Sequence, residues 1–362
     1  MSEIMNLGIC AGVKIKDKLY FSASEFNGIF EHDFVTEKTD FICPFDGEDI
    51  HVKTHLKAFA YNNQIWFIPY QGEYISCYDI KSRKIIMQHK VWNYSEGKYA
   101  FIDSVRNEEF VILVPRDTDF FLELDMKTQT IRNICKIEEE NKGKFRSVVF
   151  KRDNTIEIIS TNGSVVKSIN TVTGEEKLLE ANQEGNDRFL TAIQDDISLW
   201  LIPFNSKEVG YIDLRDYSKK FYTIEGINMQ YYGGVMLKNW LIMFPFSGSD
   251  ELLFWNKNNN TTCTKRICSG NNEMPIPVGI SSIESQDSEA WLGTENGFLI
   301  KVPYCIDDEI KITRVQINKK KMHEKIFLQY NNSSLLKKYF SENIVNENNR
   351  IDLDMIICII KM

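Results

Sequence analysis

The stretch Tyr61-Asn62-Asn63-Gln64-Ile65-Trp66-Phe67-Ile68-Pro69 decides the fold. A polar pair, Asn62-Asn63, separates two apolar runs, and the second run carries four large apolar side chains before it stops at a proline. Asparagine tolerates positive φ, so the pair reads as a two-residue hairpin turn. The run after it is too short for a helix and leaves no polar face, so it reads as a strand covered on both sides. Ten residues beyond Pro69 stands Asp79, opening Asp79-Ile80-Lys81-Ser82-Arg83-Lys84. An aspartate there bonds the backbone two residues on and starts another hairpin. The unit is therefore strand, tight turn, buried strand, loop, strand, Asp turn, strand.

The unit recurs in both directions along the chain. Comparable runs end at Ala23, Pro69, Pro115, Thr161, Pro203, Pro245 and Thr294, with successive gaps of 46, 46, 46, 42, 42 and 49 residues. Asp33, Asp125 and Asp213 keep the phase of Asp79, and Asn170 and Asn256 follow with a one-residue offset. Polar pairs precede the runs at Lys16-Asp17, Asn107-Glu108, Asp153-Asn154, Asp195-Asp196, Lys238-Asn239 and Asp287-Ser288. The periodic acids are thus turn formers rather than a carboxylate cluster. Four strands in about 45 residues, repeated seven times, are the signature of a β-propeller. The expected fold is all-β, a seven-bladed propeller of four-stranded antiparallel blades over residues 1–316. A C-terminal extension, 317–362, is expected to hold a short amphipathic helix within 322–345 and a terminal apolar strand, Ile351 to Ile360. That strand would close the ring or, left unpaired, recruit a partner or a second copy.

Two repeats carry resemblances. Tyr78-Asp79-Ile80-Lys81-Ser82 resembles the Tyr-Asp turn of kelch-type repeats, although a Gly-Gly pair occurs only at Gly233-Gly234. Ala290-Trp291-Leu292-Gly293-Thr294-Glu295-Asn296-Gly297-Phe298 resembles the repeat of two-component-regulator sensor propellers, over one blade. The resemblance implies the propeller superfamily and, through the second repeat, a sensor module as one reading.

Composition narrows the function. The 362 residues carry a net charge of −8, which argues against binding nucleic acid by neutralising its backbone. No cationic segment leads into an apolar run at the N-terminus, and no stretch reaches the roughly 18 apolar residues of a membrane span. None of the eight cysteines forms a Cys-x-x-Cys pair, so free thiols in a reducing cytoplasm are expected, with no metal and no cofactor. Richness in Ile, Lys and Asn suits a bacterial, AT-rich genome.

Function in such a ring concentrates on the longer loops of one face. The candidate binding residues there are Tyr70, Glu73, His55, Lys98, Arg116, Asp119, Arg146, Arg188, Tyr231 and Tyr232. Aromatic faces stack and forked donors orient, which suits a protein or glycan partner. His51 and His55 have the four-residue spacing of a helical metal pair but flank a strand, without the glutamate of a zinc protease. No catalytic motif occurs, so a non-catalytic binding or scaffolding propeller is the expectation. The alternative is a carbohydrate lyase or hydrolase at the channel mouth, using Arg146, Arg188, Asp119 and Tyr231.

Overall fold

The structure, a computed structural model, describes residues 4–48, 53–150, 154–160, 165–178, 188–195, 197–224, 230–246, 250–267, 280–285, 289–303 and 308–330. Its strands form seven four-stranded antiparallel sheets, which are blades 1 to 7 at residues 9–44, 55–90, 101–136, 145–178, 189–223, 231–266 and 280–314. Each blade runs in sequence order from first to fourth strand, and the first strands of blades 1 to 6 lie each against the next, as does that of blade 7 against blade 1.

The second strands show why the apolar runs are unbroken. Ile65, Trp66, Phe67 and Ile68 are all fully buried. Ile65 and Phe67 pack on Ala11, Val13 and Tyr20 of blade 1, whereas Trp66 and Ile68 pack on Val111 and Leu113 of blade 3. Side chains on a strand alternate between faces, so a sheet sandwiched between two others needs apolar residues at every position. The same division repeats around the ring. Ile112 and Val114 face Ile156 and Ile158, and Ile242 and Phe244 face Leu292 and Ile300. The ring closes where Trp291 and Leu299 of blade 7 join Leu19 and Phe21 of blade 1.

The turns follow the sequence closely. Lys16, Asn62 and Lys238 each take positive φ as the first residue of a two-residue turn. In blade 3 the turn lies one residue later than expected, at Glu108-Glu109, because Asn107 pairs with Phe110. The periodic acids and amides all accept backbone N–H groups. Asp33 Oδ1 takes those of Val35 and Thr36, Asp125 Oδ1 those of Lys127 and Thr128, and Asn170 Oδ1 those of Val172 and Thr173. Such N–H groups hold the Asp33 and Asp79 carboxyls below the usual carboxylate range. Asp125→Ala is expected to lower the unfolding free energy by about 1 kcal/mol, read by urea denaturation.

Among the described residues the two ends of the chain meet beside blade 1. Ile4–Asn6 pairs antiparallel with Gln316–Asn318, and Leu7 N–H donates to Val315 O at 3.1 Å. A short parallel bridge, Val13 to Glu284 and Lys14 to Ser285, joins the first strands of blades 1 and 7. The helix spans Lys319–Tyr330, beginning three residues before the 322–345 stretch in which it was expected. It buries Met322 against the blade 1 core, and Lys325 Nζ donates to Phe41 O. Leu335 to Phe340 and Ile351 to Ile360 lie outside the described residues.

Candidate functional site

Each first strand runs from the long-loop face to the tight-turn face, and its opening is irregular in the same way in six blades. The pairing register shifts between Ile9 and Ala11, His55 and Lys57, Phe101 and Asp103, Phe145 and Ser147, Phe189 and Thr191, and Tyr231 and Gly233. A bulge leaves one residue unpaired and re-aims its side chain. The unpaired residues are Cys10, Leu56, Ile102, Arg146, Leu190 and Tyr232. All but Cys10 line one cavity of about 360 Å³ around the channel axis. Cys10 is buried, which pushes its thiol up to about 12.

The residue before each bulge is buried instead. His55, Phe101, Phe145, Phe189 and Tyr231 occupy equivalent positions, and all are core residues. His55 has its ring centroid 4.2 Å from that of Phe45 and 5.5 Å from that of Phe67. Neither ring nitrogen has a partner among the described residues, and burial pushes its pKa down to about 3. Burial likewise raises the Tyr231 phenol to about 12. Both residues therefore pack the fold rather than present themselves to a ligand. His51 lies outside the described residues.

At the tight-turn end the channel is crossed by charge. Glu284 of blade 7 pairs with Arg106 of blade 3 and accepts the Ala60 N–H of blade 2 at 2.7 Å. Burial raises the Glu284 carboxyl, against the opposing pull of the Ala60 N–H and Arg106. Lys57 Nζ donates to Asp103 Oδ1 at 2.5 Å and to Ser104 O at 2.9 Å. The cavity is a cup facing the long loops, with Arg106, paired to Glu284, at its tight-turn end and Lys57 and Asp103 lining it nearer the mouth.

The rim carries a continuous arc of rings and cations. The Arg116 guanidinium sits 4.1 Å from the Tyr99 ring centre and donates to Tyr70 Oη at 3.4 Å. The Tyr70 and Tyr99 rings are 4.6 Å apart. Lys53 Nζ lies 5.5 Å from the Tyr70 ring and 5.9 Å from Tyr232, and pairs with Glu295 at 3.5 Å. Tyr232 stacks on Phe246 at 6.1 Å, and Phe246 meets Phe204 edge-on at 5.2 Å. Phe246 remains 38% exposed, an apolar ring left at the end of the arc.

The structure thus brings Tyr70, Arg116, Arg146 and Tyr232 to the channel mouth and scatters the others. Arg188 pairs with Glu208 at 2.5 Å and lies over Phe189 and Phe221. Asp119 pairs with Lys142 at 2.8 Å. Lys98 is exposed on the connection between blades 2 and 3. Glu73 pairs with Lys90 at 3.1 Å and accepts the Tyr94 N–H. Its own N–H goes to Glu48, which burial raises to about 7 while it clamps the loop after Tyr70. The four residues of the enzyme alternative do not converge: Tyr231 is core, and Arg188 and Asp119 are held in separate blades. Among the described residues no group of three or more His, Cys, Asp or Glu side chains is placed to hold a metal.

Sequence reasoning missed Lys53 and Tyr99. They occupy equivalent places 46 residues apart, each two positions before a first strand, as Tyr70 and Arg116 each directly follow a second strand. Superposing the repeats rather than collecting polar loop residues would have found them.

No family model and no curated protein sequence matches the chain. Many solved structures do. The computationally designed protein Ika8 is 12% identical with a TM-score of 0.56, covering 85% of this chain and 87% of its own. The extracellular domain of BT4673 from B. thetaiotaomicron is 11% identical with a TM-score of 0.58, over 81% of this chain and 38% of that one, so this chain spans well under half of its length. The β-propeller domain of Cps50 (Swd1) from Myceliophteria thermophila is 10% identical with a TM-score of 0.55, over 81% of this chain and 93% of that one. The likeness is one of fold, and with the seven stacked sheets it makes this chain a β-propeller.

Proposed function

We propose that the protein is a non-catalytic binding or scaffolding propeller that recognises a protein partner, or a glycan carried on one, at its long-loop face. The observation that carries this reading is the arc Arg116–Tyr99–Tyr70–Lys53–Tyr232–Phe246–Phe204. Tyrosine, phenylalanine and arginine on a rigid base are the residues that dominate recognition surfaces. The arc draws on blades 2, 3, 5 and 6, so a partner laid across it contacts a surface that only the closed ring assembles. No helix among the described residues is long and apolar enough to cross a membrane. A cytoplasmic location is part of the proposal, supported by the free thiols of Cys10, Cys43, Cys77, Cys135 and Cys263.

Affinity capture with three baits tests the reading. Wild-type protein is expected to retain a partner that Phe246→Glu and Arg116→Ala each lose by about tenfold or more, as removal of a central aromatic or arginine anchor does. Lys81→Glu, on the tight-turn face, is expected to retain it. Loss by Lys81→Glu with retention by both arc variants would move the interface to the opposite face and reject the proposal.

A further inference from the structure

We infer that the cup beneath the rim is a separate binding site for a small organic anion, specifically a carboxylate carried on a single ring. The inference does not depend on the partner reading, since it concerns the channel interior rather than the loop surface. At about 360 Å³ the cup lies near the lower end of the roughly 300–1,000 Å³ of small-molecule sites. That is room for one ring and its substituent rather than for a peptide chain.

The lining selects the charge. Lys57, Arg106 and Arg146 line the cup with Asp103, and Glu284 pairs with Arg106 at its tight-turn end, so three cations stand against two carboxylates. Asp103 is already engaged by Lys57 and by the Ser104 N–H at 2.8 Å. Lys53 and Arg116 add positive charge at the rim. A chain with net charge −8 has thus collected cations around its axis, and a charged ligand entering a recess shielded from water meets them at reduced dielectric. Arg146 is the charged residue among the bulge positions, where the other blades place Cys10, Leu56, Ile102, Leu190 and Tyr232.

The lining also selects the ring. Phe59, Tyr70, Tyr232 and Phe244 supply aromatic wall, and Leu190 and Ile193 aliphatic wall. Ser104, 1% exposed, lines the same cup, and its hydroxyl has no partner among the described residues. A buried hydroxyl without a partner is costly, and a polar substituent on the ring would satisfy it. Space beside Tyr232 comes from Gly233. A Cβ there would meet Phe244 at 3.8 Å and Thr191 at 3.9 Å, ordinary contacts. At Gly234, by contrast, a Cβ would fall 2.7 Å from Ile242 O. Gly233 is therefore a position from which a larger side chain fills the cup.

Calorimetric titration of the purified full chain tests the site with two acids and their neutral counterparts: glucuronate against glucose, and benzoate against benzyl alcohol. At least one acid is expected to bind saturably with a Kd of about 1 mM or tighter. Its neutral counterpart should bind about tenfold more weakly or worse, as loss of a charge-assisted hydrogen bond implies. Glucuronate alone would assign a sugar acid, benzoate alone an aromatic acid, and both the shared ring carboxylate. Arg146→Gln and Gly233→Leu should each weaken binding about tenfold or more. If Gly233→Leu does not fold, as judged by circular dichroism, Arg146→Gln decides alone. Absence of binding by both acids, equal binding of acid and neutral counterpart, or undiminished binding by folded variants would overturn the inference.

Discussion

A chain truncated after Arg314 is expected to lose most of its stability, although all twenty-eight blade strands are retained. Blade 1 is built wholly from the N-terminal part of the chain and blade 7 wholly from the C-terminal part, so no blade mixes strands from both ends. Besides the direct contact of blades 7 and 1, a second set of contacts outside the blades ties the ends together. Val315, Ile317 and Met322 are buried in one cluster with Leu7, Ile9, Phe21 and Phe41. Fully burying such side chains is worth about 1.5–3 kcal/mol each, on the order of 6 kcal/mol together. A typical domain has only about 5–15 kcal/mol in all. The Ile4–Asn6 ladder and the Lys325 bond to Phe41 O are lost as well. Urea denaturation should show a markedly lower midpoint for the truncated chain than for one truncated after Tyr330, which keeps the cluster. Equal midpoints would assign closure to the blade 7–blade 1 interface alone.

Acid should destabilise the protein through His55. An unfolded histidine takes a proton near pH 6.5, whereas the buried ring resists protonation until about pH 3. Between those values the unfolded state binds the extra proton, so stability falls as pH falls. The loss from this one residue is about 3 kcal/mol by pH 4.5 and on the order of 4 kcal/mol once the native ring titrates. Other groups move in the same range with both signs. The depressed carboxyls of Asp33 and Asp79 contribute stability that is lost as pH falls through their folded values. Glu48, raised to about 7, works the other way: its protonated form is favoured in the fold, so stability rises as pH falls from 7 toward its unfolded value. His55→Phe separates these effects, because the equivalent positions of blades 3, 4 and 5 already hold Phe101, Phe145 and Phe189. The variant should match or exceed wild type at neutral pH and exceed it by about 3 kcal/mol at pH 4.5. Parallel stability–pH curves for the two proteins would show that the His55 ring is not held neutral by burial.

The repeat was legible because its markers are local. A two-residue turn needs Asn62-Asn63 at one place, an Asp turn needs Asp79 at another, and a sheet covered on both faces needs Ile65 to Ile68 without interruption. The candidate site was legible only in part. The structure places Tyr70, Arg116, Arg146 and Tyr232 at the channel mouth, because residues just after the second strand or just inside the first strand must lie near the axis end of a blade. Tyr231 and His55 were expected there too, and the bulge sends them into the core. A one-residue offset reverses the face of a side chain, and adjacent tyrosines give no local sign of which one the bulge expels.

By itself, then, the order of residues determined what each blade is: its strand lengths, its turns, its two apolar faces and its number of copies, all set by interactions between residues close in sequence or by a period that can be counted. Only the tertiary structure decided what happens between blades. The crossing of Arg106 to Glu284, the seating of Lys53 against Tyr232, and the closure by Ile4–Asn6 on Gln316–Asn318 join residues from 178 to 314 positions apart. Such contacts depend on the angle at which the last blade meets the first, which is set by packing around the whole ring and is written in no single stretch.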